Sequence, residues 1–406
     1  MSGFFSKKET ESISAVGGKI HSCASCGLYR DCRSPKMKPY GNFEKGIMCI
    51  GDHPSKTDDA KGIPWQGSDG KLLQQTFNQM GIDLFGDCIN LNAINCMTPN
   101  SRRESPAEIN HCRSVLVWKA IKEYQPKVIL LFGEAAVASV IGYQWSGGGG
   151  FSKWRGFCIP DQDLKAWVCP VFHPKDILRS DKARDMLTLW KNDLNDALEK
   201  AEQPFPRFRQ PNIHIEKDLR FLKENKASLC AFDYETTGLK PQAKGHRIVC
   251  ASIATSENDV YAFLMPKTKK GRLPFRKWLY NRQVSKMAHN IKFEDTWGSQ
   301  ILKVRTRGWE WDSMLAAHVL DNRPGITGLK FQMYAQFGAA DWSTEVDSYL
   351  KSDNKQGGNT LNSVQKLLKT KKGTEDLLTY CALDSVYEYR LAVKQMEMLN
   401  HDFLPF

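Results

Sequence analysis

Asp233 and Glu235 stand two residues apart in Phe232-Asp233-Tyr234-Glu235-Thr236. Alternate residues of a strand point to one face, so both carboxylates project together. Carboxylates placed in this way hold Mg²⁺ or Mn²⁺ for phosphodiester cleavage. Asn290-Ile291-Lys292-Phe293-Glu294-Asp295 then places two more acids at the start of a helix, and Asp312 follows in Trp311-Asp312-Ser313-Met314-Leu315. Finally, Tyr380-Cys381-Ala382-Leu383-Asp384 sets a phenol and a carboxylate four residues apart on one helix face. There the phenol can orient a water while Asp384 completes a metal cage. Each piece alone reads more simply as a solvated acid or a buried tyrosine. Together, in this order and these settings, they point to a two-metal nuclease.

The set resembles the DnaQ-like 3′→5′ exonucleases of the DEDDy subclass, most closely the proofreading domain of family A DNA polymerases, over residues 213–400. The resemblance implies metal-binding carboxylates at Asp233, Glu235 and Asp384, and a water-positioning Tyr380. It implies Thr236 and Leu239 as a wedge under the terminal base, with Asn290 lining the site. The family has aspartate in its second motif; here register favours Glu294, with Asp295 beside it. The implied ligands are Mg²⁺ or Mn²⁺, single-stranded DNA and primer 3′ ends, with a DNA polymerase subunit as partner. The same motifs occur in RNase D-like RNA exonucleases, which is the alternative.

The chain has twelve cysteines, nine of them before residue 200. The start, MSGFFSKKETES, lacks the apolar stretch of a signal peptide. No apolar run is long enough to span a membrane, so the expected location is the cytoplasm (the host's, if phage-encoded). In a reducing compartment such cysteines ligate metal or are simply buried. Cys23-x2-Cys26 precedes Cys96 and Cys112, and Cys112 follows a capping-box pattern, Ser105-Pro106-Ala107-Glu108. Four such thiols suit an iron–sulfur cluster or zinc.

The residues around them are Gly51-Asp52-His53-Pro54, Gly62-Ile63-Pro64-Trp65-Gln66-Gly67, Leu91-Asn92-Ala93-Ile94-Asn95-Cys96 and Phe172-His173-Pro174-Lys175, with Arg179 beyond. Together they resemble the family 4 uracil-DNA glycosylases over residues 20–198. That resemblance implies a [4Fe–4S] cluster on Cys23, Cys26, Cys96 and Cys112, with Cys32 an additional thiol. It places Trp65 where a base stacks, Asn92 at the base edge, His173 against the charge of the leaving uracil, and Arg179 near phosphate. Asp52 is one methylene shorter than the family's glutamate, His53 replaces a small residue at the pocket mouth, and Met97-Thr98-Pro99 replaces an Arg-Pro-Pro. The domain is thus expected either to excise uracil or to bind bases without cutting, as a DNA-binding accessory.

These residues need a scaffold. A chain of 406 residues suggests two or three domains, and 41% hydrophobic residues suffice for ordinary cores. The formal charge of +12 favours a polyanionic partner. Ile47–Ile50, Val128–Phe132 and Trp167–Phe172 read as buried strands between helical stretches, which predicts a parallel sheet. The second half predicts strands at Leu229–Phe232, Arg247–Ala254 and Asp259–Met265, helices from Phe293 onward, and a loop over 338–362. The basic stretch Met265–Trp278, with Phe275 and Trp278, is a candidate track for a DNA strand. Gly147–Gly150 lacks the Gly-Lys-Ser/Thr of a phosphate loop and is read as flexible.

The expected architecture is α/β, with two tandem domains. A flexible N-terminus (1–20) precedes a glycosylase-like parallel-sheet sandwich with a cysteine-bound cluster (21–200). A linker (201–212) leads to an RNase H-like mixed-sheet exonuclease (213–406). The combination resembles the front part of bacteriophage family A DNA polymerases.

Overall fold

The structure is a computed structural model describing residues 23, 26–99, 102–142, 145, 150–342, 346–351 and 360–400. The segment 1–20 and the glycines at 147–149 lie outside the described residues. The chain divides into two compact units, residues 1–206 and 207–406.

In the N-terminal unit, β1 (Ile47–Gly51), β2 (Cys88–Asn92), β3 (Val128–Phe132), β4 (Ile159–Asp161) and β5 (Ala166–Val171) form one sheet of order β2-β1-β3-β5-β4. All neighbours are parallel except β4 and β5. Strands β1 and β3 are apolar throughout and buried on both faces, as a parallel sheet requires. Strand β2, CINLN, is hidden in the sequence by its asparagines. Asn90 is tolerated inside because its Nδ2 donates to the Leu84 carbonyl at 2.7 Å. The helices are α1 (Lys56–Lys61), α2 (Ser68–Gln79), α3 (Pro106–Cys112), α4 (Trp118–Tyr124), α5 (Glu134–Val140), α6 (Pro174–Arg179) and α7 (Ala183–Glu199). Helix α7 seats Trp190 and Leu194 in the core with Leu130 and Cys169. The capping box anticipated at Ser105 opens α3, with Glu108 as its reciprocal partner. Beyond α7, Phe205 lies edge-on to Trp167, and Gln162 Nε2 donates to the Pro206 carbonyl at 3.0 Å.

The C-terminal unit has a six-stranded mixed sheet built from β6 (Asn212–Glu216), β7 (Leu229–Thr236), β8 (Ile248–Ala254), β9 (Asp259–Leu264), β10 (Ser285–Ala288) and β11 (Trp309–Asp312), in the order β11-β10-β7-β8-β9-β6. Three of these, β6, β10 and β11, have no clear signature in the sequence. The helices are α8 (Lys269–Tyr280), α9 (Ile291–Trp297), α10 (Ser313–Leu320), α11 (Leu329–Phe337) and α12 (Lys371–Met398). Period-two alternation splits β7 between two cores. Phe232 and Tyr234 pack with Phe275, Trp278 and Trp297 on one face, whereas Ala231 joins the core of α12 on the other. Asp233 and Glu235 therefore project toward α12.

One expectation changes here. Phe275 and Trp278 are buried against Phe263 and Phe232, so the basic stretch offers its cations to solvent but no aromatic rings for stacking. Strand β10 carries a fully buried lysine, Lys286, whose Nζ donates to the carbonyls of Asn281 (2.7 Å), Val284 (2.8 Å) and Arg307 (3.0 Å).

Candidate functional site

In the C-terminal unit, β7 and α12 bring Asp233, Glu235, Tyr380 and Asp384 together. Tyr380 and Asp384 lie one turn apart on α12 and share a hydrogen bond. The Trp342 indole donates to Asp384 Oδ1 at 2.8 Å. Lys330 Nζ lies over the Tyr380 ring, 5.3 Å from its centroid, and its charge reaches Asp384 and Glu235. Loss of hydration first, then the neighbouring Asp384 charge, pushes Asp233 well above the carboxylate range. Glu235 is raised by loss of hydration and by Asp233 and Asp384. Loss of hydration pushes Asp384 up to about 7 despite Lys330, Trp342 and Tyr380.

The structure separates Glu294 from Asp295. Glu294 is 2% exposed, its Oε2 has no hydrogen-bond partner, and after loss of hydration the Asp233 charge is the main influence raising it. Asp295 turns away, and its Oδ1 accepts the Thr306 amide at 3.2 Å. Asp312 is also accounted for. Its carboxylate accepts the amides of Asn290 (3.1 Å), Ile291 (2.9 Å), Met314 (3.0 Å) and Leu315 (3.2 Å), capping α10 and holding the entry to α9. Asn290, the residue before α9, is in the left-handed region, φ 80°. Thr236 is buried and its Oγ1 donates to the Gly238 carbonyl at 2.8 Å, whereas Leu239 is 62% exposed.

One acid was not anticipated. Glu388, one turn past Asp384, is buried with an unpartnered Oε1, and after loss of hydration Glu294 and Asp233 raise it most. Its i+4 spacing from Asp384 was the available signal. Converging carboxylates of like charge need protons or a cation among them. Their hard oxygens fit Mg²⁺ or Mn²⁺.

In the N-terminal unit, β1, β2, β3 and α6 bring Asp52, Trp65, Asn92 and His173 near one another. Trp65 (3% exposed) packs between Phe132 and His173, at 5.3 and 5.4 Å between ring centres. Asn92 (4% exposed) has an unpartnered Nδ2, and its backbone is locked to Asn95. Glycine at 51 lets it approach, because a Cβ there would lie 2.6 Å from Asn92 Oδ1.

His173 (4% exposed) accepts the Lys175 amide on Nδ1 at 3.1 Å. Burial pushes its imidazole down to about 4, against the pull of Asp52. It is therefore neutral near pH 7 with its proton on Nε2, because Nδ1 is an acceptor.

Asp52 is not a free base. Its Oδ2 accepts Lys175 Nζ at 2.6 Å and its Oδ1 accepts the Ala135 amide at 2.9 Å, at the start of α5. Burial raises its pKa, but His173, Lys175 and Ala135 together hold it below the usual value. Glycine at 133 (φ 98°) admits it, since a Cβ would stand 2.6 Å from both carboxylate oxygens. His53 bonds the Pro54 carbonyl at 3.1 Å and faces Glu104 at 3.4 Å. Arg179 is exposed.

The cysteines also gather. Cys96 feels the charges of Cys32, Cys112 and Cys26, and Cys112 those of Cys26 and Cys23. Burial pushes Cys96 up to about 12 and Cys112 to about 11. Cys32 donates to the Leu28 carbonyl at 3.2 Å, which occupies its proton locally. Tetrahedral zinc, with Zn–S about 2.3 Å, would hold thiolates roughly 3.8 Å apart. Among the described residues no three of these cysteines come within 4.8 Å of one another.

A largely parallel sheet with a cluster of buried polar and aromatic side chains is thus followed by a mixed sheet with converging carboxylates. Residues 38–197 match the uracil DNA glycosylase superfamily, and residues 213–400 match a 3′–5′ exonuclease family of polymerase type. The chain thus carries a uracil-DNA-glycosylase-like domain followed by a 3′–5′ exonuclease domain. It is 26% identical to the type-4 uracil-DNA glycosylase of Archaeoglobus fulgidus over 177 residues, 43% of this chain and 87% of that protein. It is 23% identical to the DNA polymerase of Bacillus phage SP01 over 325 residues, 71% of this chain but 34% of the polymerase. Among solved structures, Brucella melitensis NrnC with bound Mg²⁺ aligns with 48% of this chain and 85% of its own at 18% identity, with a TM-score of 0.33. No helix among the described residues is long and apolar enough to cross a membrane.

Proposed function

We propose that the C-terminal unit removes nucleotides from DNA 3′ ends by metal-dependent hydrolysis, as a proofreading partner of a DNA polymerase in phage replication. The observation that carries this is the convergence of Asp233, Glu235 and Asp384 beside the unpartnered Glu294 oxygen. Asp233, Glu235 and Asp384 would hold Mg²⁺ or Mn²⁺, with Glu294 as the fourth carboxylate. Bound there, the ions would supply Lewis-acid stabilisation of the phosphodiester oxygens. Tyr380, kept a phenol by burial, orients water through its bond to Asp384. Leu239, 62% exposed, would press on a terminal base, and Asn290 would line the site. Similarity to the phage polymerase across parts of both units supports the partnership.

Digestion of 3′-labelled DNA and RNA of one sequence with Mn²⁺ tests the substrate. DNA should be cut about ten-fold faster or more, a barrier difference of roughly 1.4 kcal/mol. Faster loss of RNA ends would replace this reading with RNA trimming.

For the N-terminal unit we propose a pocket for an extruded pyrimidine, with Trp65 as platform, Asn92 Nδ2 at the base edge and Arg179 near phosphate. The favouring observation is the buried His173, whose Nδ1 accepts the Lys175 amide so that an Nε2–H can donate to a leaving uracil's oxygen. Asp52, engaged by Lys175 and α5, serves here as a positioning group for His173. Cys23, Cys26, Cys96 and Cys112 would hold a [4Fe–4S] cluster that pins the loops. Cys96→Ser should remove most bound iron and the broad visible absorption, and weaken binding to uracil-containing single strands about ten-fold. Unchanged iron content would sink the ligand assignment. Abasic product from the intact protein identifies a glycosylase, whereas tight binding without product identifies a base-reading module.

A further inference from the structure

We infer that Cys381 supplies a sulfur donor to the metal position of Asp233 and Glu235, so that the exonuclease site also captures thiophilic ions such as Zn²⁺ and Cd²⁺. This rests on reading that site as a metal centre. Cys381 Sγ lies 3.8 Å from Asp233 Oδ2. The donor atoms of Asp233, Glu235 and Cys381 all fall within 4.8 Å of one another, the one such group among the described residues. A tetrahedral ion with M–S about 2.3 Å and M–O about 2.0–2.2 Å sets an S···O edge of roughly 3.5–3.7 Å. The Cys381–Asp233 edge therefore needs only a few tenths of an ångström of closure. Glu294, buried and with an unpartnered Oε2 under the influence of Asp233, points independently to a cation position beside Asp233.

The thiol is held ready on the rigid helix that also carries Asp384. Its Sγ lies 3.3 Å from Ser252 Oγ, whose own hydroxyl donates to the Cys381 carbonyl at 2.6 Å. Mg²⁺ prefers oxygen, so with Mg²⁺ the S–H stays intact and bonded to Ser252. With Zn²⁺ an M–S bond replaces the S–H bond, the proton passes to solvent, and no electrons are transferred. Zinc held by sulfur and two carboxylates then competes with the hydrolytic ions and slows digestion.

Cd²⁺ and Co²⁺ titrations of the full chain test this, with Cys381→Ser and Cys381→Ala compared against the parent. The N-terminal thiols contribute equally to every sample, so difference spectra isolate Cys381. The parent should show a near-ultraviolet sulfur-to-metal band that both variants lack. The variants should lose about ten-fold in Cd²⁺ affinity relative to Mn²⁺ affinity, and half-inhibition by Zn²⁺ should move to about ten-fold higher concentration. Thermal unfolding of each variant checks that the helix remains packed. Identical difference spectra and an unchanged Cd²⁺/Mn²⁺ ratio, with normal Mn²⁺ binding by the parent, would overturn the role of Cys381 alone. Failure of the parent to bind Mn²⁺ would overturn the metal-centre reading itself.

Discussion

Asp233→Asn lowers metal-dependent release of 3′-terminal nucleotides by roughly 10³-fold or more, because loss of one carboxylate from a two-metal site removes on the order of 4 kcal/mol of transition-state stabilisation. The same substitution should leave the metal-free protein at least as stable as the parent. Asp233 stands beside Asp384 and Glu235; after loss of hydration, the Asp384 charge raises Asp233, and the Asp233 and Asp384 charges raise Glu235. A neutral amide of the same shape relieves that repulsion. Thermal unfolding with EDTA should show an equal or higher midpoint for the variant. Added Mg²⁺ or Mn²⁺ should raise the parent's midpoint and leave the variant's unchanged. A variant that is inactive and also unfolds early would assign Asp233 a structural role, and full activity in the variant would remove it from the site.

Lys286→Met should destabilise the C-terminal unit by about 3–5 kcal/mol, a large fraction of a domain's stability. The side chain is fully buried on β10 and its three donors satisfy three carbonyls, those of Asn281, Val284 and Arg307. Methionine fills the volume but leaves those acceptors without donors. Burial pushes the Lys286 ammonium down to about 8. The folded pKa is thus below the unfolded value of about 10.4. Below about pH 8 both states are charged and the desolvation penalty is fully present. Between about 8 and 10.4 the unfolded state binds more protons, so stability rises with pH. Urea unfolding of parent and variant should show the parent gaining on Lys286→Met across that window. A difference that stays flat from pH 7 to 10 would mean that the three carbonyls keep the ammonium charged throughout.

The nuclease motif was legible because its chemistry imposes short spacings. Asp233 and Glu235 share a face by strand period, and Tyr380 and Asp384 share one by helix period, so adjacency in sequence stands in for adjacency in space. The apolar runs of β1 and β3 were legible for the same reason, since burial on both faces leaves no polar position. Strands β2 and β10 were not. Asn90 and Lys286 contradict a buried strand until their hydrogen-bond partners are known, and those partners lie on other segments.

The sequence alone determined which residue types could hold metal, and that Cys23, Cys26, Cys96 and Cys112 belonged in one set only through resemblance. By register it favoured Glu294 over its neighbour Asp295. Tertiary structure separates them: Thr306 takes Asp295, while Glu294 is buried within reach of the Asp233 charge. It gave Asp312 to the caps of two helices and Asp52 to Lys175, and withdrew Phe275 and Trp278 from solvent. It also placed Glu388 and Cys381 beside the carboxylates. A carboxylate's role depends on which donor reaches it first, and the donors here come from residues far away in the chain. Such distances are set by packing and not by local period.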